Sequence, residues 1–318
     1  MYMRIAEKIK FNAKILLLGE YSIIRGGQAI TVPLKQFSGY FDSNPWGQGN
    51  TEPISADGES LKPFIDYLKQ KEIQNKFSFD LDLKKMQADV CRGLIFHSNI
   101  PRGYGAGSSG ALVAAVFASY LEDPHWSADV LATRYPEKVL RQLSVMESFF
   151  HGNSSGLDPM SCLMARTLWV DDRHKIQFPP TPLINPDSPL TVFLLDTREK
   201  GDTKPLVDWF NEQAEHGVLN SYLLKDLNDA LVKSLLLGDL SAFESFLLQL
   251  SLFQLENMKP MVPQSVRPLW IEGLETMQWT LKICGSGGGG YMLGFTHDYS
   301  AVEQRIKEKG FELLKLDV

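Results

Sequence analysis

The segment IPRGYGAGSSGALVAAVF, residues 100–117, contains three alternating glycines and two adjacent serines ahead of an unbroken apolar run. Glycine tolerates positive φ angles and lacks a Cβ, so alternating glycines let successive backbone N–H groups face one concavity. A helix that begins directly afterwards adds unpaired N–H groups and a dipole that favours an anion. The hydroxyls of Ser108 and Ser109 stand where they could contact a phosphate or its metal. The segment predicts a phosphate-binding loop, with a simple strand-to-helix turn capped by serine as the alternative.

Two familiar phosphate loops do not fit this segment. A Walker A motif requires a lysine before Ser or Thr, and the segment has none. Residues 105–110 spell G-x-G-x-x-G, but the dinucleotide fingerprint also needs a second strand that ends in an acidic residue about 20 positions later. Glu122 and Asp123 directly follow the predicted helix and leave no room for that strand. A nicotinamide-dependent oxidoreductase is therefore disfavoured.

Two acidic residues form a second candidate group. The segment HGNSSGLDP, residues 151–159, places Asp158 in a predicted turn, after a helix that carries Glu147. At about 100° per residue, Glu147 borders an apolar face that consists of Val139, Leu143, Met146 and Phe150. A carboxylate beside such a face costs several kcal/mol unless it is paired or bound to a metal. A structural salt bridge and a magnesium site are both compatible with this pattern.

Lys14 and Glu20 bracket the apolar stretch ILLL near the N-terminus. A lysine that begins a strand is commonly solvated. A lysine aimed at a buried carboxylate would instead keep that carboxylate ionised or polarise a nucleophile. Both alternatives remain open at the level of sequence.

The elements that would position these residues mix strands and helices. Apolar runs predict strands at 13–19, 93–100, 167–172, 175–178, 190–196 and 311–316, and a strand pair interrupted by glycines within 280–296. Gly26 and Gly27 predict a tight turn between two extended runs. Helices are predicted at 111–121, from Pro136 to 150, at several places between 204 and 257, and at 301–310. Without strict βαβ alternation, the pattern indicates an α+β fold.

Residues 178–190 contain five prolines and form the best linker candidate of the chain. With 318 residues, the chain is expected to form about two domains. The formal charge of −6 argues against a surface for nucleic acid or an anionic membrane. The longest apolar runs fall short of a membrane span, the N-terminal residues lack the apolar core of a signal peptide, and the cysteines at 91, 162 and 284 fit no disulfide framework. These features predict a cytoplasmic protein.

Three segments together resemble the motifs of the GHMP small-molecule kinases. IPRGYGAGSSGA is similar to their P-x-G-x-G-x-G-S-S-A-A pattern, and KICGSGGGGY resembles their C-terminal glycine-rich motif. AKILLLGEYSIIRGGQAI resembles their first motif, and HGNSSGLDP is similar to the H-G-N-P-S-G-x-D of mevalonate kinases. The resemblance implies a two-domain GHMP kinase fold: an N-terminal domain (1–180) like the second domain of ribosomal protein S5, and a ferredoxin-like C-terminal domain (190–318). It also implies an active site in the cleft between the domains.

The resemblance further implies a role for each matching residue. ATP phosphates would be bound by Gly103, Gly105, Ala106, Gly107, Ser108, Ser109 and Gly110, and Mg²⁺ by Ser109 and Glu147. Asp158 would accept the proton of the acceptor hydroxyl, with Lys14 beside it. The acceptor would be contacted by Glu20, Tyr21, Thr203, Gly287 and Gly288. The implied activity is ATP-dependent phosphorylation of a small alcohol, with mevalonate as the expected acceptor. A homodimer is a candidate assembly, and the sequence leaves the oligomeric state open.

The sequence also departs from the mevalonate kinase pattern. Tyr21 replaces a histidine that contacts the acceptor, Ser154 replaces a proline, and Gly110 replaces an alanine. The loss of the histidine leaves the acceptor open. A phosphomevalonate kinase would need further cations, for which the candidates are Arg25, Arg198, Lys200 and Lys204. Another GHMP kinase, a related diphosphomevalonate decarboxylase and a catalytically silent ligand sensor are the remaining alternatives.

Overall fold

A computed structural model describes residues 9–43, 61–122, 127–185 and 187–316, which divide into two compact units. The first unit comprises the described parts of Met1–Lys14, Lys35–Ile100 and Gly107–Arg166, and the second comprises Ile15–Leu34, Pro101–Ala106 and the described parts of Thr167–Val318. No helix in these stretches is both long and apolar enough to cross a membrane. The division into domains at 1–180 and 190–318 stays a prediction.

Helices form most of the first unit. They are α1 (Lys62–Ile73), α2 (Leu83–Cys91), α3 (Ser108–Tyr120), α4 (Ala128–Arg134), α5 (Pro136–His151) and α6 (Leu157–Met164). Helix α3 is apolar on all sides, and its residues from 110 to 117 are all buried, as expected for a central helix. Helix α5 is amphipathic, because its buried positions recur with the spacing of one helical face. This face includes Glu147 itself, so the carboxylate lies on the buried side and not merely at its border.

A five-stranded sheet contains the strands that precede and follow the first glycine loop. It consists of β1 (Phe11–Leu18), β2 (Ala29–Ser43), β3 (Leu94–Ser98), β4 (Leu168–Val170) and β5 (Ile176–Gln177). The strand order is β1-β2-β4-β5, and β3 pairs with β2. The β2–β3 pairing is antiparallel and runs from Gly39 opposite Ser98 to Ser43 opposite Leu94. Strands β1 and β2 contribute residues to both units.

The second unit contains a four-stranded antiparallel sheet. Its strands β6 (Thr191–Asp196), β7 (Thr280–Ile283), β8 (Tyr291–Thr296) and β9 (Glu312–Lys315) follow the order β7-β8-β6-β9. The helices of this unit are α7 (Thr203–Glu215), α8 (Ser221–Leu237), α9 (Leu240–Asn257), α10 (Arg267–Thr276) and α11 (Tyr299–Glu308). Asp239 and Asp298 accept hydrogen bonds from backbone N–H groups three residues on, which fixes where α9 and α11 begin.

Most of the predicted elements are confirmed, and two are wrong. The α+β class, the buried helix after the glycine loop and the helix from Pro136 are present. The extended run before Gly26 instead contains a short 3-10 helix, Ser22–Arg25, which Gly26 ends with a φ of 76°. The predicted turn around Asp158 is also wrong, because this residue lies in the first turn of α6. Gly156, with a φ of 76°, is the N-cap of that helix, so the helix begins directly after the glycine- and serine-rich residues.

The proline-rich segment is an ordered connection. Its described residues, 178–185 and 187–190, contain no helix or strand, whereas Pro186 lies outside the description. Leu183 and Ile184 are buried, and the hydroxyl of Ser188 donates a hydrogen bond to the carbonyl of Leu183. The prolines exclude regular structure, but the apolar residues between them anchor the segment.

Helices α3 and α6 pack closely at Gly110. A Cβ at this position would lie 2.9 Å from the carbonyl carbon of Asp158 and 3.0 Å from the backbone nitrogen of Pro159. Both neighbours are backbone atoms, which cannot move aside as a flexible side chain can. The glycine that replaces the family's alanine therefore permits the close approach of the turn that carries Asp158.

We predict that Gly110→Ala lowers the free energy of unfolding by about 1–3 kcal/mol, because the added methyl group overpacks the α3–α6 contact. Urea denaturation measures the change, and Ser119→Ala at an exposed position of the same helix is the control, expected to be near neutral. Equal or greater stability of Gly110→Ala would contradict the packing account, since it would leave only the helix propensity gained by alanine.

Candidate functional site

The first unit brings Lys14 and Asp158 into direct contact. The Lys14 Nζ lies 2.8 Å from the Asp158 Oδ1, and the lysine side chain is 6% exposed whereas the aspartate side chain is 39% exposed. Strand β1 holds the lysine, and the first turn of α6 holds the carboxylate, where the helix dipole favours a negative charge. A buried cation thus faces a carboxylate that remains accessible, which suits that carboxylate to receive a proton from a ligand.

Glu147 provides a second carboxylate in the same unit. Its side chain is buried on α5 and accepts a hydrogen bond from the hydroxyl of Ser154. Burial and, to a lesser extent, the charge of Asp158 raise the pKa of Glu147 to about 8. The Ser154 hydrogen bond and Lys14 oppose this rise without cancelling it. Glu147 therefore binds a proton near neutral pH, and a nearby cation would favour its ionised form.

Gly107 and Ser109 form the N-terminal end of α3. Gly107 is the N-cap residue, with a φ of 79° and no side-chain hydrogen bond that caps the helix. The serine N-cap considered as an alternative is therefore wrong. A Cβ on Gly107 would lie 3.0 Å from Cγ of Lys14, so the glycine makes room for the lysine stem. The Ser109 Oγ is hydrogen-bonded to the Nε2 of His151 at 2.9 Å, and Ser108 is partly exposed next to it.

The predicted metal ligands suit magnesium by their chemistry. Glu147 and Ser109 both offer hard oxygen donors, the type that Mg²⁺ prefers. The charge of Lys14 alone does not hold this buried carboxylate ionised near neutral pH. Among the described residues, no group of three or more His, Cys, Asp or Glu side chains is arranged to hold a metal ion. A magnesium ion at these two residues would therefore take further ligands from a phosphate substrate or water.

The second unit brings the first glycine loop against the C-terminal glycine segment. A Cβ on Gly290 would lie 2.8 Å from the Cα of Tyr104, and a Cβ on Gly105 would lie 3.9 Å from the Cα of Gly285. The Tyr104 and Tyr291 rings also contact each other, with centroids 4.8 Å apart. Residues 101–106 and 285–290 therefore meet backbone to backbone. Ala106, which is predicted to bind the ATP phosphates, is buried in this loop.

Gly287 and Gly288 use their N–H groups inside the protein. The Gly288 N–H donates to the carbonyl of Met261 at 2.7 Å, and the Gly287 N–H donates to the carbonyl of Cys284 at 3.2 Å. A Cβ on Gly287 would lie 2.6 Å from the same Met261 oxygen. These glycines fold the segment tightly, and their predicted contact with the acceptor stays a prediction.

Glu20 is held by a lysine that lies outside the predicted site residues. The Lys282 Nζ lies 2.6 Å from the Glu20 Oε1, and the two side chains are 0% and 2% exposed. Burial raises the pKa of Glu20, while the charge of Lys282 and hydrogen bonds that include one from the Gly285 backbone lower it. Lys282 also donates to the carbonyl of Ile283. Glu20 thus fixes the N-terminal motif to strand β7.

Tyr21 adopts a strained conformation beside this ion pair. Its φ is 62°, a left-handed value that is uncommon for residues other than glycine. Its hydroxyl donates to the carbonyl of Ser286 at 2.6 Å, and its ring lies 4.8 Å from that of Phe210. Burial and the charge of Glu20 raise the pKa of Tyr21, so the phenol stays protonated. The hydroxyls of Thr203 and Ser286 lie 3.1 Å apart.

Several residues of these two groups had weak signals in the sequence. Lys282 is the charged residue of an otherwise apolar strand, which could have indicated a buried partner. Ser154 occupies the position of the family's proline, and its hydroxyl now binds Glu147. His151 opens the motif that contains Asp158, but nothing in the spacing points it at Ser109. Cys162 donates to the carbonyl of Gly107 at 3.7 Å, and burial raises the pKa of its thiol.

Residues 67–166 match the family model described as the GHMP kinases N terminal domain. No curated protein sequence matches the chain. The matched stretch carries Glu147 and Asp158 and the N-terminal end of α3. The resemblance to the GHMP kinases is therefore confirmed, and residues 67–166 are similar to the N-terminal domain of this family.

Solved structures with the same fold cover nearly the whole chain. The mevalonate kinase of L. major in complex with R-mevalonate is 16% identical with a TM-score of 0.63, over 100% of this chain and 99% of its own. The phosphomevalonate kinase of Streptococcus pneumoniae with phosphomevalonate and AMPPNP is 16% identical with a TM-score of 0.64, over 97% and 99%. The Lactococcus lactis galactokinase with galactose is 15% identical with a TM-score of 0.66, over 98% and 94%. The predicted GHMP kinase fold is confirmed.

We predict that the stability of the protein without divalent cations falls as the pH rises from about 5 to 8. Because the folded pKa of Glu147 exceeds its unfolded value, folding takes up a proton in this window and is disfavoured as protons become scarce. Glu147→Gln should flatten the slope of the free energy of unfolding against pH, whereas the exposed control Glu256→Gln should keep it. Urea denaturation at several pH values measures this, and identical slopes in all three proteins would contradict the prediction.

We predict that Lys282→Met lowers the free energy of unfolding by about 3–5 kcal/mol, because it leaves the Glu20 carboxylate buried without its partner. Adding Glu20→Gln should restore part of this loss, because the second change removes the unpaired charge. A double-mutant cycle by chemical denaturation measures the coupling. Strictly additive effects would show that the two side chains do not stabilise each other.

Proposed function

We propose that the chain is an ATP-dependent kinase that phosphorylates a small-molecule alcohol. The observation that carries the proposal is the contact between Lys14 and Asp158, with Glu147 in the same GHMP kinase unit. We further propose mevalonate as the acceptor and 5-phosphomevalonate as the product, in isoprenoid biosynthesis. Cytoplasmic location, a homodimeric assembly and an active site in a cleft between two domains stay predictions.

Asp158 is suited to act as the proton acceptor of the reaction. In phosphoryl transfer, the acceptor oxygen forms a bond to the γ-phosphorus while the bond between this phosphorus and ADP breaks. The hydroxyl proton passes to Asp158 Oδ. Lys14 keeps this carboxylate oriented and balances its charge before the proton arrives. Because the transition state is loose, alignment and charge neutralisation supply most of the rate enhancement.

The glycine loop and the N-terminal end of α3 are suited to bind the ATP phosphates. Gly107 leaves the first N–H groups of α3 without a side-chain cap, and Ser108 and Ser109 stand in the first turn. A magnesium ion bound at Glu147 and Ser109 would neutralise phosphate charge. Glu147 would release its proton as it binds the cation, because a nearby positive charge lowers its pKa.

The acceptor is proposed to contact the group around Tyr21. The Tyr21, Thr203 and Ser286 side chains lie together in the second unit, and their hydroxyls suit a polar alcohol. The enzymes with the same fold have different acceptors in their structures, namely R-mevalonate, phosphomevalonate and galactose. Mevalonate is preferred because the segment around Asp158 resembles the mevalonate kinase motif, and phosphomevalonate is the second candidate.

A panel of alcohols tests the proposal. Formation of ADP from Mg²⁺-ATP is measured with R-mevalonate, 5-phosphomevalonate, homoserine and galactose as acceptors. We expect turnover with R-mevalonate and a phosphorylated product by mass spectrometry. Turnover with another alcohol alone would keep the kinase and replace its acceptor. Absence of turnover with every alcohol, while ATP still binds, would favour a ligand sensor.

We predict that Asp158→Asn lowers kcat by at least about 100-fold, because the amide cannot accept the hydroxyl proton. The affinity for ATP should change little, as measured by calorimetry with the same variant. The exposed Asp226→Asn is the control and should retain full turnover. Near-normal kcat in Asp158→Asn would exclude a role of this carboxylate as proton acceptor.

A further inference from the structure

Arg25 presents an unsatisfied hydrogen-bonding edge. This residue ends the 3-10 helix Ser22–Arg25, and its Nε and Nη2 atoms are enclosed by the protein. Within the described residues, neither atom has a hydrogen-bond partner. Enclosed polar groups are almost always satisfied in folded proteins, and an unpaired charged group costs more than a neutral one. The two donors therefore indicate an occupant that supplies acceptor oxygens.

The geometry of this edge selects the kind of occupant. Nε and Nη2 lie side by side on one edge of the planar guanidinium, and their N–H bonds point in the same direction. This fork matches the two oxygens of a carboxylate or a phosphate. The guanidinium also lies over an aromatic ring, since its Cζ is 5.9 Å from the centroid of the Phe210 ring. The aromatic ring offers attraction to the cation but no acceptor for the two donors.

Arg25 lies beside the group proposed to contact the acceptor. The Phe210 ring next to Arg25 also contacts Tyr21, whose hydroxyl donates to the carbonyl of Ser286. The Ser286 hydroxyl in turn meets that of Thr203. Arg25 as a whole is only partly buried, whereas its Nε and Nη2 atoms are enclosed. These contacts all lie within the second unit.

The other candidate cations of the sequence differ from Arg25. Arg198 is exposed and forms an ion pair with Glu312, with 2.8 Å between Nη2 and Oε1. Lys200 and Lys204 are both exposed. Exposed ammonium groups are strongly hydrated and need no partner within the protein. Arg25 thus stands apart by its enclosed and unpaired donors.

We propose that Arg25 binds an anionic group of the acceptor, a carboxylate or a phosphate, through its Nε and Nη2 edge. The proposal rests on the proposed kinase function and narrows its acceptor to an anionic alcohol. It makes Arg25 a specificity-determining residue, because a neutral sugar would leave the two donors unpaired. In the free protein, the two enclosed donors carry the energetic cost of having no partner, and a bound acceptor would remove this cost.

Binding without turnover tests the proposal independently of the kinase activity. R-mevalonate, its neutral amide, 5-phosphomevalonate and inorganic phosphate are titrated by calorimetry into the full chain without ATP. We expect the wild type to prefer R-mevalonate over the amide. Arg25→Gln should weaken R-mevalonate by about 100-fold and leave the amide within about 3-fold. Arg25→Lys should give an intermediate loss, because it keeps the charge and lacks the fork.

Controls separate the edge from folding and from the nature of the anion. Arg305→Gln removes an exposed arginine paired with Glu272 and should bind all four compounds as the wild type does. Thermal unfolding verifies that each variant folds. If Arg25→Gln does not fold, the comparison is made with Arg25→Lys. Tighter binding of 5-phosphomevalonate than R-mevalonate, lost together with inorganic phosphate binding in Arg25→Gln, would assign the edge to a phosphate. Binding of R-mevalonate alone would assign it to the carboxylate.

Two results would overturn the proposal. One is that Arg25→Gln binds R-mevalonate and 5-phosphomevalonate as tightly as the wild type does, which would leave water as the occupant of the edge. The other is an equal loss of the anions and the neutral amide, which would indicate a general distortion. If the wild type binds the anions through Arg25 but turns over no alcohol, the proposed kinase function fails while the anion site stands.

Discussion

Two carboxylates and one lysine act on one another in the first unit, and this balance of charge governs the proposed chemistry. Lys14 contacts Asp158, while Glu147 lies buried with its pKa raised to about 8 by burial and by the charge of Asp158. One ammonium group cannot hold both carboxylates ionised at neutral pH. The cluster therefore favours a second cation, and magnesium with phosphate would supply it. Its tight construction follows from glycines: Gly107 admits the lysine stem and Gly110 admits the turn of Asp158.

In the second unit, buried contacts hold an irregular backbone in place. The buried pair of Glu20 and Lys282 fastens the N-terminal motif to strand β7. Tyr21, the next residue, keeps a left-handed backbone and reaches the glycine segment through Ser286. Removal of either partner would leave the charge of the other buried and unpaired, which favours the intact ion pair. The pair thereby helps to position the proposed acceptor group and Arg25 beside it.

Local patterns predicted more of the fold than of the site. The apolar strand 190–196 and the alanine-rich helix after the glycine loop are confirmed because burial and periodicity specify them directly. The start of α6 does not follow from the local pattern, since Gly156 begins this helix among residues typical of turns. The pairing of Lys282 with Glu20 joins positions 262 residues apart, which no local pattern encodes. The GHMP motifs instead placed Lys14 and Asp158 together, because a resemblance carries tertiary information that periodicity lacks.

Infrared spectroscopy of Glu147 tests the charge balance of the first unit most directly. Difference spectra between the wild type and Glu147→Gln isolate the C=O stretch of a protonated carboxylic acid. We expect this band at pH 6 to 7 without divalent cations, its loss as the pH rises past about 8, and its loss at neutral pH when Mg²⁺-ATP binds. If Glu147 is already ionised at pH 6 without any added cation, the proposed need for a second cation is wrong.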